Sequence, residues 1–224
     1  MTWTSIRLCV VAFVLACGPA VGGAEDDEGA ATTEAPSCEM YEPAAEIGPA
    51  VAITVRHEGT QPFFFAPNGC GGSMVFEITR DGAPVPYLLD SECTPSTCDG
   101  FVAASDCSVG CNDCAPPNAG RIDPGGVGDS AWPGRRTIEL ELVDACAPAA
   151  DCPDTCLQPE QAEPGTYDIT FTAYRTCTGT CTCDGPSSGV CGLWNGDEQL
   201  SDPVTFTVTV DYPTQTAAEI VLSN

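Results

Sequence analysis

The sequence predicts an all-β fold: an antiparallel β-sandwich with long disulfide-stapled loop insertions. Three observations predict it. Short segments alternate apolar and polar residues with period two, the pattern of a strand with one buried face. Loops rich in turn-forming residues separate them, drawing on 23 Gly and 20 Pro in 224 residues. No segment carries the spacing of an amphipathic helix.

The expected strands follow in chain order. Val51, Ile53 and Val55 make the first, and Phe63–Phe65 the second. Met74, Phe76 and Ile78 make a third, followed by the hairpin signal Arg80-Asp81-Gly82-Ala83 and a fourth strand over Val85–Leu89. Thr137–Leu142 points its aliphatic residues one way and its glutamates the other. In Tyr167–Ala173 the odd positions are apolar, and in Val204–Val210 the even ones are, with Thr between them. Half-buried strands of this kind pack as two antiparallel sheets. The sandwich is expected over residues 38–213, with 214–224 as a C-terminal tail. Glu163-Pro164-Gly165-Thr166-Tyr167 resembles the approach to a late strand of immunoglobulin-like domains, which implies an immunoglobulin-like sandwich in which Tyr167 braces a corner.

Sixteen cysteines decide the redox setting. Setting aside Cys9 and Cys17 leaves fourteen: Cys38, Cys70, Cys93, Cys98, Cys107, Cys111, Cys114, Cys146, Cys152, Cys156, Cys177, Cys181, Cys183 and Cys191. The number is even, so seven bridges without a spare thiol is the simplest state, in an oxidising compartment. Most fall in three loops, 90–131, 144–163 and 176–202, which are too long for a compact domain unless cross-linked. If seven strands alternate between the two ends of the sandwich, eleven cysteines fall at one end and three at the other, so at least one bridge crosses. Cys38 reaches farthest, and its expected partner is Cys146, Cys152 or Cys156.

Residues 1–17 have the form of an export signal: one charge at Arg7, then the apolar run Leu8–Ala16. That run is too short to span a bilayer, which takes roughly 20 residues. Val14-Leu15-Ala16-Cys17 resembles the lipobox of bacterial lipoproteins, with Leu15 where a smaller residue is commoner. The resemblance implies that Cys17 becomes the mature N-terminus carrying a diacylglyceryl group and an amide-linked, palmitate-type acyl chain. Gly18 after it implies sorting to the outer membrane. The alternative is an ordinary signal peptide cut after Ala20 or Ala24, giving a periplasmic or secreted protein. Residues 18–37 hold five acids and no base, and read as a disordered acidic tether.

Seven Arg, no Lys and 32 Asp plus Glu give a formal charge of −25. That excludes nucleic acid as a partner, because no basic stripe is present to displace counterions. The expected contact with a membrane is through the N-terminal lipid, and any protein partner is unspecified.

Candidate chemistry is sparse. Cys107-x3-Cys111-x2-Cys114 has iron–sulfur spacing, but oxidised cysteines are the ordinary outcome outside the cytoplasm. Cys111-Asn112-Asp113-Cys114 and Cys181-Thr182-Cys183 could hold a thiolate metal. Asp90, Glu92 and Asp99, or alternatively Asp106 and Asp113, could converge on calcium. His57 is the single histidine and is expected to be solvated at a strand end; with Gly128-Asp129-Ser130 it could form a triad only if the two meet. Trp132, Arg135 and Arg136 form a candidate binding cluster, since aromatic and Arg residues on loops anchor partners. No catalytic constellation, cofactor or metal is assigned. The expected function is a non-enzymatic, lipid-anchored envelope protein, a binding or structural module presenting disulfide-locked loops. The alternatives are a secreted-protease inhibitor and a metal-binding envelope protein.

Overall fold

The computed structural model describes residues 37–42, 48–68, 73–88, 97–103, 117–147, 149, 152–183 and 189–223. Cys17, most of the tether (18–36), Cys70, Cys93, Cys107, Cys111, Cys114 and the acids Asp90, Glu92, Asp106 and Asp113 lie outside them.

After a short 3-10 turn at Cys38–Tyr41 come β1 (Val51–His57), β2 (Phe63–Phe65), β3 (Pro67–Asn68), β4 (Ser73–Met74), β5 (Phe76–Arg80) and β6 (Ala83–Pro84). A short helix α1 (Cys98–Ala103) precedes β7 (Ala119–Ile122), β8 (Val127–Trp132), β9 (Arg135–Glu141) and β10 (Thr155–Gln161). The chain finishes with β11 (Gly165–Thr178), β12 (Val190–Leu193), β13 (Gln199–Tyr212) and β14 (Ala217–Leu222).

Two sheets form the sandwich. One runs β14-β1-β8, and the other runs β12-β7-β2-β11-β5-β6 with β13 on the remaining edge of β11. β11 can serve three partners because it is long. At roughly 3.3 Å per residue its 14 residues span more than 40 Å. β13 pairs with it along this length, while β5 takes residues 168–171 and β2 meets Tyr174 on the other edge.

The inner faces follow the period-two pattern. Val51, Ile53, Val55, Trp132, Ala218, Ile220 and Leu222 come from the smaller sheet. Phe63, Phe65, Phe76, Ile78, Ile122, Tyr167, Ile169, Phe171 and Val210 come from the larger. Gly120 lies opposite Phe65 on β7, and a Cβ there would come 2.0 Å from the Phe65 ring, so the ring occupies that space.

One end of the core is aromatic. Trp132 is 0% exposed and stacks at 4.8 Å from Tyr167 and 5.1 Å from Tyr212. Its Nε1–H donates to the Arg135 carbonyl at 3.1 Å, satisfying the one polar atom of the indole. The Tyr167 hydroxyl donates to the Glu163 carbonyl at 2.7 Å, the corner brace expected from Glu163–Tyr167.

Several expectations are corrected. Residues 214–224 are not simply a tail: β14 pairs in parallel with β1 and buries Ala218, Ile220 and Leu222, because its alternation matches the vacant edge of β1. The third expected strand is divided into β4 and β5. Residues 85–88 form no strand, although the Val85 N–H donates to Ile78 and the Tyr87 hydroxyl bonds the Phe76 backbone. Strands β7, β8, β10 and β12 fall in segments read as loops. His57 is not solvated but 1% exposed: its Nε2–H donates to Gln61 O at 2.6 Å, while Nδ1 accepts from the Gly59 N–H at 3.0 Å.

β9 and β10 form a two-stranded sheet of their own, tied to other described residues by a single bridge between Leu157 and Thr97 and by the Thr137 N–H donating to the Pro86 carbonyl. Such a pair is marginal in isolation. Here a second apolar cluster of Tyr41, Cys98, Phe101, Leu142, Cys146 and Cys156 supports it. The Tyr41 hydroxyl donates to Glu141 O at 2.6 Å and accepts from the Val143 N–H at 3.0 Å. Two bridges close this cluster, Cys38–Cys146 and Cys98–Cys156. Cys146 is thus one of the three partners expected for Cys38. Cys152 is disulfide-bonded as well.

Two predictions follow from the packing. Trp132→Ala should cost about 3–5 kcal/mol by transfer and cavity terms, whereas Tyr167→Phe should cost about 1 kcal/mol by removing one hydrogen bond. Denaturant titration of the oxidised protein checks both values, and equal losses would mean that the single hydrogen bond contributes as much as the packed indole. The bridges should also differ. Cys38–Cys146 spans 108 residues and Cys177–Cys181 only four. Chain entropy then assigns about 4–5 kcal/mol to the first and about 2 to the second. The double alanine variant of the first pair should therefore unfold at clearly lower denaturant than that of the second.

Candidate functional site

β2 poses a local problem that leads to the site. Phe63, Phe64 and Phe65 are consecutive and all buried, although a strand with one wet face should expose the middle one. Phe63 and Phe65 enter the sandwich core, while Phe64 points to the opposite face. There it packs with Ala119, Leu193, Tyr174 and Leu200 beneath Cys177, Cys181, Cys183 and Cys191. Cys181 and Cys183, from the described part of the segment between β11 and β12, therefore cover this part of the outer face of the larger sheet.

The cover is held by covalent and polar links. Cys177 bonds Cys181, and Cys183 bonds Cys191. Arg121 on β7 donates from Nη1 to the Cys181 carbonyl at 2.8 Å, and from Nε and Nη2 to Asp123 Oδ1 at 2.8 and 2.6 Å. Thr180 donates its N–H and its hydroxyl to the Asp197 carboxylate at 3.1 and 3.0 Å. Gly179 has φ +96, and a Cβ there would meet the Asp197 carbonyl at 2.3 Å, so the close approach requires glycine.

Residues 195–198 form a turn closed by Glu198. Its carboxylate accepts from the Asn195 and Gly196 backbone N–H groups, both at 2.9 Å, and from Asn118 Nδ2 at 3.3 Å. Desolvation pushes this carboxyl up, but the backbone N–H groups of Asn195, Glu198 and Gly196 together with the Asn195 side chain outweigh it. The result is a carboxyl held below the ordinary Glu range.

Trp194 stands between the stapled loop and this turn. It is 57% exposed, in a core where Trp132 is wholly buried. A Cβ on Gly192 would lie 3.0 Å from the Trp194 Nε1 and 3.2 Å from Pro117, so the indole edge rests against β12 beside the proline. An exposed indole on a fixed platform loses little side-chain entropy when it is covered, the property of an interface anchor.

The sequence-derived candidates fare differently. Trp132 is core, so it cannot anchor a partner. Arg136 pairs with Glu160 at 2.9 Å, and Arg135 Nε is buried without a hydrogen-bond partner. Pro133-Gly134 turns the chain from β8 into β9, and the Gly134 carbonyl accepts from Gln161 Nε2, Tyr212 Oη and the Ala162 N–H. The candidate cluster is therefore a structural joint. Cys181 and Cys183 each bond a different cysteine, so their CxC spacing is not a thiolate pair. Ser130 lies opposite Ile53 on β1, four residues from His57 and roughly 13 Å along the strand, so no triad assembles. Among the described residues no three or more His, Cys, Asp or Glu side chains converge to hold an ion. Trp194 was the residue sequence reasoning missed. The available signal was a tryptophan followed at once by the Asn195-Gly196 turn, with no alternating apolar neighbours to bury it.

Compared with protein-family models, with curated proteins and with solved structures, the chain matches none.

Protonating Glu198 should loosen the turn. A carboxyl with a lowered folded pKa contributes stability fully above the unfolded Glu value and loses it as pH falls through the folded one. The amide shifts of Asn195 and Gly196 should therefore titrate with a midpoint below about 4.3, the ordinary Glu value. A midpoint at or above that value in an NMR pH series would show that these hydrogen bonds do not form in solution.

Proposed function

We propose that the chain is a non-enzymatic, lipid-anchored cell-envelope protein whose sandwich presents disulfide-locked loops to a protein partner, with Trp194 as the anchor. The observation that carries this reading is the contrast between the two tryptophans. Trp132 is consumed by the core, while Trp194 is left exposed on a surface immobilised by two bridges and the Glu198 turn. The acidic turn around it (Asp197, Glu198) favours a partner with basic or neutral groups at the rim.

The export-type segment before Cys17 and the dense disulfides support an address outside the cytoplasm. Acylation of Cys17 would hold the sandwich at the outer membrane, with residues 18–37 as a spacer of roughly 25 Å mean reach. One chain binds a membrane only marginally; the diacylglyceryl group carries two, and the amide-linked chain would add a third.

Intact-mass analysis of the protein from its native envelope should give a chain beginning at Cys17 with both acyl additions. A mature terminus downstream of Cys17 would remove the anchor. A photoreactive residue at position 194 should give one discrete adduct in intact cells, while the same residue at Thr166 should give none. Adduct patterns that do not differ between the two positions would remove the partner surface.

A further inference from the structure

β13 is a sheet edge with little of the usual protection. Among the described residues it pairs only with β11. Its backbone is regular from Pro203 to Tyr212, bounded on one side by Asp202 at φ 59 and on the other by the turn at Pro213. The other described edge strands differ. β6 has two residues, one of them Pro84, and β12 has four and lies next to the Cys183–Cys191 bridge. β14 carries Glu219, paired with Arg56 of β1, β8 carries Asp129, which accepts from the Thr54 hydroxyl, and β9 and β10 carry the Arg136–Glu160 pair. A long uncharged edge rich in β-branched residues is a template for another strand.

We propose that this edge pairs with the same edge of a second copy, antiparallel about a two-fold axis through Thr207. Three observations select a second copy as the occupant. First, Pro203–Val210 carries no charge in a chain of net charge −25, so two such chains can approach along it without setting like charges against each other. Second, the segment is self-complementary when reversed about Thr207. Val204 meets Val210, Thr205 meets Thr209, and Phe206 meets Val208, an aromatic–β-branched pair of the favourable kind. The flanking acids do not meet each other: Asp211 faces Pro203 and Asp202 faces Tyr212. Third, both faces match. Val204, Phe206 and Val208 are half-buried on the inner side and would be covered by their counterparts, while Thr205, Thr207 and Thr209 remain on the outer side. A one-residue slip would reverse the faces.

On the outer side the pairing extends an existing ladder. Thr170 and Thr207 hydroxyls bond at 2.9 Å, and the Thr209 hydroxyl donates to Asp168 at 2.6 Å. This surface is separate from Trp194, and the dimer does not depend on the reading of that residue.

Sedimentation of the oxidised full-length chain tests the proposal, with Cys17→Ser in every protein so that acyl chains play no part. The parent should pass from one to two protomers with concentration, and more readily in added salt, which screens the repulsion between two acidic bodies. Thr207→Glu sets two carboxylates face to face on the axis and should weaken the dimer at least about tenfold. Thr172→Glu adds the same charge to the same face one strand inward, on β11, and should leave the dimer within about twofold. Near-UV circular dichroism establishes that each variant is folded. A parent that stays monomeric at all concentrations overturns the proposal, as does a dimer that survives Thr207→Glu or one that Thr172→Glu abolishes equally.

Discussion

The structure depends on one strand being hydrogen-bonded along both edges. β11 gives its whole length to β13 on one side and divides the other between β5 and β2. This shared ladder fixes which residues of the six other strands of its sheet face inward, since side-chain parity follows from register. On the outer face of the same sheet Tyr174 of β11 lies opposite Phe64, and cystines cover the cluster that the two residues form.

The molecule thus solves burial in three ways. The central layer is an ordinary interdigitated core whose closing residues are Trp132, Tyr167 and Tyr212, each with its polar atom bonded. The β9–β10 pair has too small a cluster to stand alone, and two long-range bridges restrict the unfolded chain in its place. The outer face around Phe64 is roofed by short-range bridges, which contribute less to global stability and more to fixing the local surface. Long-range bridges therefore hold the architecture, and short-range ones shape the local surface around Phe64.

Charge follows the same division. The arginines among the described residues are mostly committed: Arg56 to Glu58 and Glu219, Arg80 to Glu163, Arg121 to Asp123, and Arg136 to Glu160. Arg80 illustrates the local effect. Its hydrogen bond and its charge hold the Glu163 carboxyl below the ordinary range, at the same corner where the Glu163 carbonyl receives the Tyr167 hydroxyl. With its few cations engaged, the surface is dominated by acid, which leaves uncharged strips such as Pro203–Val210 as the places where another protein can come close.

The all-β class, the strands at Val51–Val55, Tyr167–Ala173 and Val204–Val210, and the corner brace at Tyr167 were legible in the sequence, because each is a local pattern: period two, or a turn followed by an aromatic. The bridge from Cys38 to Cys146 lay within the partners that parity and reach allowed. What the sequence could not determine was which neighbour each face would find. β14 reads as a tail until the vacant edge of β1 is known, and β12 is too short to show a period. Phe64 breaks the alternation until a roof exists above it. Trp132 and Trp194 are the same residue type on similar Gly- and Pro-containing segments. Only the tertiary structure, by placing two tyrosines against one and solvent against the other, decided which is core and which is available for contact.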